Sequence, residues 1–288
     1  MTQRTVRTDG VELCLETFGD PADPALLLIS GAAGSMDQWE PAFCARLAGE
    51  GRFVIRYDHR DTGGSSTSPV GAPSYSGDDL ATDPVRILDA LGIDRAHLVG
   101  ISMGGGLAQY LAARRAERLL TLTLIATSPA GECSERRSLP PSEPRIRAVF
   151  ENPAPEPAWD DRSAVIDYLV EAERPFAGSL GFDEQRARRT ATVVVDRTRD
   201  IAASVTNHWV IDGGSTDRFR LADITLPTLV LHGTDDPLFP LGHGEALAAE
   251  IPGATFVPLH GMGHEMPPRP LWDTAVSAIV GHTAQRRT

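Results

Sequence analysis

The sequence predicts an α/β protein in which a mostly parallel, doubly wound sheet is interrupted by an inserted helical cap. Three observations support this fold class. Short apolar runs alternate with longer segments of helical periodicity, most of these runs are apolar on both faces, and the alternation stops between about residues 131 and 220. Strands buried on both faces are typical of a parallel sheet covered by helices on either side. The βαβ alternation indicates a doubly wound arrangement.

Seven segments have the length and composition of strands. The first, VELCLETF (11–18), alternates polar and apolar residues and suits an antiparallel edge hairpin. The others follow in chain order at 25–30, 52–58, 95–100, 119–127, 226–233 and 254–261. Helical patterns fill the intervals at 38–49, 78–92, 103–116, 242–251 and 270–283.

The segment between the fifth and sixth predicted strands is different in composition. Two proline-rich loops, LPPSEPR and ENPAPEPAW, lead into helical patterns around AVIDYLVEAE and within 183–210. We therefore predict an α/β core formed by residues 1–130 and 221–288, with residues 131–220 inserted as a helical cap subdomain.

The composition excludes several classes of function. A formal charge of -12 argues against binding to nucleic acid or to an anionic membrane surface. The three cysteines (Cys14, Cys44 and Cys133) are widely spaced, and the chain has neither a CxxC pair nor an HExxH motif, so we expect no disulfide framework and no metal. The N-terminal residues lack the apolar stretch of a signal peptide, and we expect a cytoplasmic protein.

The motif Gly100-Ile101-Ser102-Met103-Gly104 lies between a predicted strand and a predicted helix. G-x-S-x-G in this context is typical of a serine nucleophile on a sharp turn. The glycines permit the close approach of strand and helix, and the helix N-terminus favours negative charge that develops beside Ser102.

A serine hydroxyl needs a general base, and His264 is the best placed of the eight histidines. It lies in the glycine-flanked loop GMGHEMP just after the last predicted strand. Because the carboxyl ends of parallel strands meet at one crevice, this loop and Ser102 are expected to lie together. We expect structural roles for most of the other histidines, with His59 bracing a turn.

The third member of such a site is an acid that orients the histidine. LHGTDDPLFP places Asp235 and Asp236 in the loop after the preceding strand, and Asp236 is the better candidate because it precedes Pro237 on the turn. We predict a Ser102–His264–Asp236 triad, whose chain order of serine, acid and histidine is the one associated with this turn motif.

Taken together, GISMGG, HGTDDP, GMGH and YDHRDTGGSS resemble the α/β-hydrolase family along essentially the whole chain. Within it, FGDPADPALLL, RYDHRDTG and DRAHLVG are similar to carboxylic ester hydrolases of the aclacinomycin methylesterase type. The resemblance implies an acyl-enzyme mechanism without a cofactor. It also implies two backbone N–H donors for the oxyanion, from Met103 and from Ala32 in SGAAGS, where many relatives carry His-Gly and this chain has Ser30-Gly31.

The expected substrate is a small to medium hydrophobic ester, such as the methyl ester of a polyketide-like acid, acted on by a monomer or weak homodimer. Ser102 at the nucleophile position disfavours haloalkane dehalogenases and epoxide hydrolases, which use a carboxylate there. The alternatives left open are a carbon–carbon bond hydrolase, a cofactor-free perhydrolase and a non-enzymatic ligand-binding protein of the same fold.

Overall fold

In the computed structural model, residues 2–132, 139–213 and 219–284 are described, and an eight-stranded sheet forms the centre of this part of the chain. The strands are β1 (Thr2–Thr8), β2 (Val11–Phe18), β3 (Ala25–Ile29), β4 (Phe53–Tyr57), β5 (Ala96–Ile101), β6 (Leu119–Ile125), β7 (Thr228–Gly233) and β8 (Thr255–Leu259). Their order in the sheet is β1-β2-β4-β3-β5-β6-β7-β8. The β1–β2 and β2–β4 pairs are antiparallel, and the remaining neighbours are parallel.

Strand β1 is the one strand of this sheet that the sequence pattern missed. Val6 is the one apolar residue of TQRTVRT, and residues 3–8 are mostly exposed, so the strand carries no repeated apolar face that periodicity could reveal. It pairs with β2 through the two-residue turn Asp9-Gly10, in which both residues have positive φ (48° and 79°). Asp-Gly between two extended segments is a hairpin signal, and it places β1 rather than β2 at the edge of the sheet.

Helices cover both faces of the sheet, which confirms the doubly wound arrangement. The helices that follow strands are α1 (Pro41–Gly49), α2 (Gly77–Leu91), α3 (Met103–Arg114), α8 (Gly242–Glu250) and α9 (Trp272–Thr283). Buried residues of α2, α3 and α8 pack into one apolar cluster, and those of α1 and α9 pack into a second cluster on the opposite face. Helix α2 illustrates how local sequence determines where a helix begins and ends. Ser76 and Asp79 form a capping box at its start, and Gly92 ends it in the left-handed conformation.

The described residues between β6 and β7, where the sequence predicts the cap, include four α-helices: α4 (Pro144–Glu151), α5 (Arg162–Glu173), α6 (Glu184–Arg197) and α7 (Ile201–Thr206). Helices α5 and α6 share a small apolar cluster that contains Ile166, Val170, Ala187 and Ala191. The proline-rich stretch is not all loop, because Pro144 occupies the first turn of α4, where its missing N–H is harmless. The autonomy of residues 131–220 as a cap subdomain stays a prediction.

Two further observations concern the cysteines and the membrane. Cys14 and Cys44 are buried free thiols, and Cys133 lies outside the described residues. Across residues 2–132, 139–213 and 219–284, no helix combines the length and the apolar character needed to cross a membrane. The cytoplasmic location stays a prediction.

Candidate active site

Ser102 lies on a sharp turn between the end of β5 and the start of α3. Its backbone has φ 51° and ψ −120°, a conformation that non-glycine residues rarely adopt and that costs on the order of 1–3 kcal/mol. A side chain at Gly100 would overlap the carbonyl oxygen of Gly104, and one at Gly104 would overlap the carbonyl oxygen of Ser30. The two glycines therefore allow β5, α3 and the end of β3 to approach closely enough for this turn to form.

Backbone hydrogen bonds hold the turn in place. The N–H of Ser102 donates to the carbonyl of Ile125 at 3.1 Å, and the hydroxyl of Thr127 donates to the carbonyl of Ser102 at 2.7 Å. Both partners belong to the end of the neighbouring strand β6 or to the residues after it. The strained conformation is thus fixed by the sheet, which leaves the side chain of Ser102 half-buried above it.

His264 and Asp236 form a hydrogen-bonded chain with Ser102. Nε2 of His264 lies 3.0 Å from Oγ of Ser102, and its Nδ1 lies 2.9 Å from Oδ2 of Asp236. In the neutral imidazole, this arrangement places the proton on Nδ1, which donates to the carboxylate, and leaves Nε2 as the acceptor for the serine hydroxyl. Ser102 and Asp236, from two separate loops, are therefore each within hydrogen-bonding distance of the imidazole of His264, which lies on a third loop.

The carboxylate of Asp236 is buried and satisfied at both oxygens. Oδ1 accepts the backbone N–H groups of Leu238 and Phe239 at 2.9 and 2.8 Å, and Oδ2 faces His264. Hydrogen bonds from two backbone donors fix the orientation of the carboxyl group. The imidazole is consequently held against a buried and oriented acceptor.

Asp235, the alternative acid, has different partners. Its Oδ2 accepts the backbone N–H of Ser179 at 3.2 Å, and its Oδ1 accepts the hydroxyl of Thr234 at 2.8 Å. Hydrogen bonding by Ser179 and then Thr234 lowers the pKa of Asp235. The structure brings Asp236 rather than Asp235 to His264.

The loop that carries His264 packs directly against the segment between β6 and β7. The backbone N–H of His264 donates to the carbonyl of Phe176 at 2.8 Å, and that of Leu180 donates to the carbonyl of Gly261 at 3.1 Å. A side chain at Gly263 would overlap the carbonyl oxygen of Phe176. The glycines around His264 in GMGHEMP thus permit this close contact. The hydrogen bond to Phe176 then fixes the backbone of His264.

The two predicted oxyanion donors flank Ser102. Met103 begins α3, and the first N–H groups of a helix have no acceptor within the helix. Ala32 belongs to the turn Gly31–Gly34, and a Cβ atom built on Gly31 would lie 3.4 Å from Cβ of Ser102. Both backbone segments are therefore beside the serine.

Three other buried histidines have polar partners of their own. His232 comes within 3.7 Å of Asp236 Oδ2, but its Nε2 lies 2.7 Å from the carbonyl oxygen of Phe239, and burial lowers its pKa. His243 contacts Ser128 Oγ and the Pro140 carbonyl, each at 2.9 Å. His59 lies 3.1 Å from the carbonyl oxygen of Ser30, which fits the expected bracing of a turn.

Acidification is expected to destabilise the protein through His59. The pKa of an unfolded histidine is about 6.5, whereas burial lowers the pKa of the completely buried His59 to about 3. The unfolded state therefore binds the proton first, and stability that is fully present above about pH 6.5 is lost as the pH falls toward 3. At pH 5 the loss corresponds to about 2 kcal/mol, measurable by urea unfolding at pH 7 and pH 5.

A pair of variants separates this effect from general acid sensitivity. His59→Gln should reduce the difference in unfolding free energy between pH 7 and pH 5, because the group that binds the extra proton on unfolding is gone. His260→Gln makes the same chemical change at an exposed position and should leave the difference unchanged. An unaltered pH dependence in His59→Gln would contradict the prediction.

Two residues of the segment between β6 and β7 reach the core in ways that the sequence analysis missed. Arg197, at the end of α6, forms ion pairs with Asp58 at 2.6 Å and with Asp37 at 2.7 Å. His208 contacts the turn that contains Ala32, through Ala33. YDHRDTGG was noted as a motif, but nothing in the local sequence indicated that Asp58 pairs with a residue 139 positions away.

Across residues 2–132, 139–213 and 219–284, no group of three or more histidine, cysteine, aspartate or glutamate side chains could hold a metal ion.

Comparison with known proteins gives matches along almost the whole chain. A family model described as alpha/beta hydrolase fold matches residues 24–267. The rhodomycin D methylesterase DauP of Streptomyces sp. (strain C5) is 34% identical over 98% of each chain. A putative carbamate hydrolase RutD of Caulobacter segnis is 31% identical over 92% of each chain. The crystal structure of a hydrolase from Pseudomonas aeruginosa PA01 superimposes with a TM-score of 0.72 at 25% identity, covering 98% of each chain.

Proposed function

The chain belongs to the alpha/beta hydrolase fold family and is a carboxylic ester hydrolase, and from this premise we propose that Ser102, His264 and Asp236 are its catalytic triad. The observation that carries the proposal is the pair of hydrogen bonds, 3.0 and 2.9 Å long, that join the three side chains through the imidazole. A nucleophile bonded to a base, which is itself oriented by an acid, is the arrangement that activates a serine hydroxyl.

The proposed reaction has two halves. Oγ of Ser102 attacks the ester carbonyl carbon while Nε2 of His264 takes the hydroxyl proton, and collapse of the tetrahedral intermediate breaks the ester C–O bond as His264 gives that proton to the leaving alcohol. Water then attacks the acyl-enzyme, with His264 accepting its proton and returning it to Ser102 as the acid leaves. Asp236 keeps the proton-bearing Nδ1 in place and stabilises the imidazolium.

The oxyanion is proposed to bind the backbone N–H groups of Met103 and Ala32. Two donors aimed at the developing charge stabilise the tetrahedral intermediate more than the planar ester, so they accelerate the reaction. The N-terminus of α3 adds its dipole at the same point. No cofactor takes part in this mechanism.

The aromatic residues between β6 and β7 support a bulky acyl group. The ring centroid of Phe176 lies 6.1 Å from that of His264. The ring of Phe150 lies 6.5 Å from Phe176 and 6.1 Å from the ring of Trp209, so the three aromatic rings form a series. Phe150 and Trp209 are 51% and 60% exposed, which is unusual for large apolar side chains. The series runs from the surface to the imidazole, and it suits an apolar, planar substrate.

The other aromatic residues of this segment pack among themselves. Trp159 and Tyr168 pair at 5.9 Å, and Phe182 packs partly buried against the α5–α6 cluster beneath Arg174. None of the three rings forms a ring pair with His264 or with the Phe176–Phe150–Trp209 series. The substrate contacts are therefore assigned to Phe150, Phe176 and Trp209, and the similarity to a protein named rhodomycin D methylesterase supports a methyl ester of a polyketide-like acid.

A panel of esters tests the substrate class. Methyl acetate, methyl palmitate and methyl 2-naphthoate share the alcohol and differ in the acyl part, and acid release can be followed by titration. We expect kcat/KM for the naphthoate to exceed that for the acetate by about tenfold or more. Each apolar group of the acyl part that is buried in a hydrophobic site adds to the binding energy of the transition state. A preference for acetate or for the long linear chain would overturn the proposal.

Matched variants locate the contact. Phe150→Ala should lower kcat/KM for the naphthoate and leave the value for acetate unchanged. Trp159→Ala removes an aromatic ring from the same segment but away from His264, and it should leave both values unchanged.

A further inference from the structure

The turn beside Ser102 is held by several polar contacts. The N–H of Gly34 donates to the carbonyl of Gly31 at 3.1 Å and closes the turn, and Ala33 within it has φ 57°. The hydroxyl of Ser30 donates to the carbonyl of Ser35 at 3.1 Å. A left-handed conformation at an alanine is sparsely populated and requires support from its surroundings.

His208 supplies such support from the segment between β6 and β7. The backbone N–H of Ala33 donates to Nδ1 of His208 at 2.9 Å, and Nε2 of His208 donates to the carbonyl of Arg60 at 2.9 Å. Because Nδ1 accepts, the ring proton must be on Nε2, so the imidazole is the neutral tautomer that satisfies both partners. His208 is 6% exposed, and its burial lowers its pKa, which keeps this form.

The neighbouring Asn207 fixes His208 onto the core. Its amide Nδ2 donates to Asp61 at 2.8 Å, and its Oδ1 accepts the backbone N–H of Gly71 at 2.7 Å. Asn207 is completely buried, so these hydrogen bonds are shielded from water. The imidazole of His208 is therefore presented to Ala33 from a rigid position on the turn Asn207–Trp209.

These contacts assign the N–H groups of the turn. The N–H of Ala33 donates to His208, and the N–H of Gly34 donates to the carbonyl of Gly31. The other central residue of the turn, Ala32, is the proposed oxyanion donor. We infer that His208 is a positioning residue that holds this turn in the conformation that presents the Ala32 N–H to the oxyanion. The inference rests on the proposed function. It makes the reaction rate depend on a residue that does not touch the reacting atoms.

The experiment compares His208→Asn with His208→Gln. The Asn amide occupies the place of Nδ1 and can accept the Ala33 N–H, whereas the Gln amide occupies the place of Nε2 and can donate only to Arg60. Each variant keeps one of the two hydrogen bonds, so a purely structural role of His208 predicts similar losses of kcat in both variants. Positioning predicts that kcat falls about 10- to 100-fold in His208→Gln at nearly constant KM, and within about threefold of wild type in His208→Asn.

Thermal unfolding confirms that both variants are folded, and four kinetic outcomes decide the matter. Loss of kcat in the Gln variant with rescue by Asn supports the inference. Equal kcat in the two variants, or a change confined to KM, overturns it while wild-type hydrolysis leaves the proposed function standing. A wild-type protein that hydrolyses no ester overturns the proposed function and this inference with it.

Discussion

Ser102→Ala is expected to lower kcat for ester hydrolysis by about 10⁴-fold or more while leaving the fold intact. The substitution removes Oγ, the atom 3.0 Å from Nε2 of His264, so no acyl-enzyme can form. Alanine also fits the turn, because the close contacts there involve Gly100 and Gly104 rather than the serine hydroxyl. Release of p-nitrophenol from p-nitrophenyl acetate measures the loss, and circular dichroism measures the fold.

Ser163→Ala is the matched control for this variant. Ser163 lies on the exposed side of α5, and its replacement should leave turnover unchanged. A p-nitrophenyl phosphonate should phosphonylate Ser102 with release of p-nitrophenol, so that the wild type and Ser163→Ala, but not Ser102→Ala, gain the mass of the phosphonyl group in place of one hydrogen. Retained turnover in Ser102→Ala would refute the mechanism.

Asp236→Asn should lower kcat by several powers of ten, about 10⁴-fold by comparison with the equivalent change in other triads. Asp236 accepts three hydrogen bonds, from Leu238, Phe239 and His264. An amide cannot accept all three, since its NH2 group must face either a backbone N–H or the Nδ1–H of His264. If the amide oxygen keeps the two backbone N–H groups, the NH2 group faces Nδ1 of His264 and donates to it. The ring proton is then on Nε2, and this tautomer cannot accept the proton of Ser102.

Asp235→Asn makes the identical change one residue earlier. Its partners are the backbone N–H of Ser179 and the hydroxyl of Thr234, and an asparagine oxygen can still accept from one of them. We expect kcat within about threefold of wild type, in keeping with substitutions away from the reacting atoms. Steady-state kinetics of both variants with one ester provides the comparison, and a larger loss in Asp235→Asn would show that the acid has been misassigned.

The parts of the fold that the sequence predicted well are those whose signal is local. Strands β3, β4, β5 and β7 are buried at every residue, so each appears in the sequence as a short, mainly apolar run. Strand β1 has Val6 as its one apolar residue and was missed. Helix α4 was hidden by the prolines around it, although a proline at the start of a helix is compatible with helical geometry.

The same distinction applies to the site. Ser102, Asp236 and His264 each lie in a short motif after a predicted strand, and the rule that parallel strands end at one edge brings such motifs together. Their catalytic roles stay predictions. His208 lies in NHWV, which has no motif, and its partner Ala33 is 175 positions away in the chain. Contacts of this kind depend on how the helical segment sits on the core, which periodicity and spacing do not specify.

The contacts between the helical segment and the loops around Ser102 limit how this protein could be re-engineered. Phe176 holds the backbone of His264, Ser179 holds Asp235, and His208 holds Ala33. A chimera that received residues 139–213 from a relative, in order to acquire a new substrate, would also exchange these three supports. Grafting for specificity therefore has to transplant the three supports together with their partners, so that the loops around Ser102 keep the hydrogen bonds that hold them.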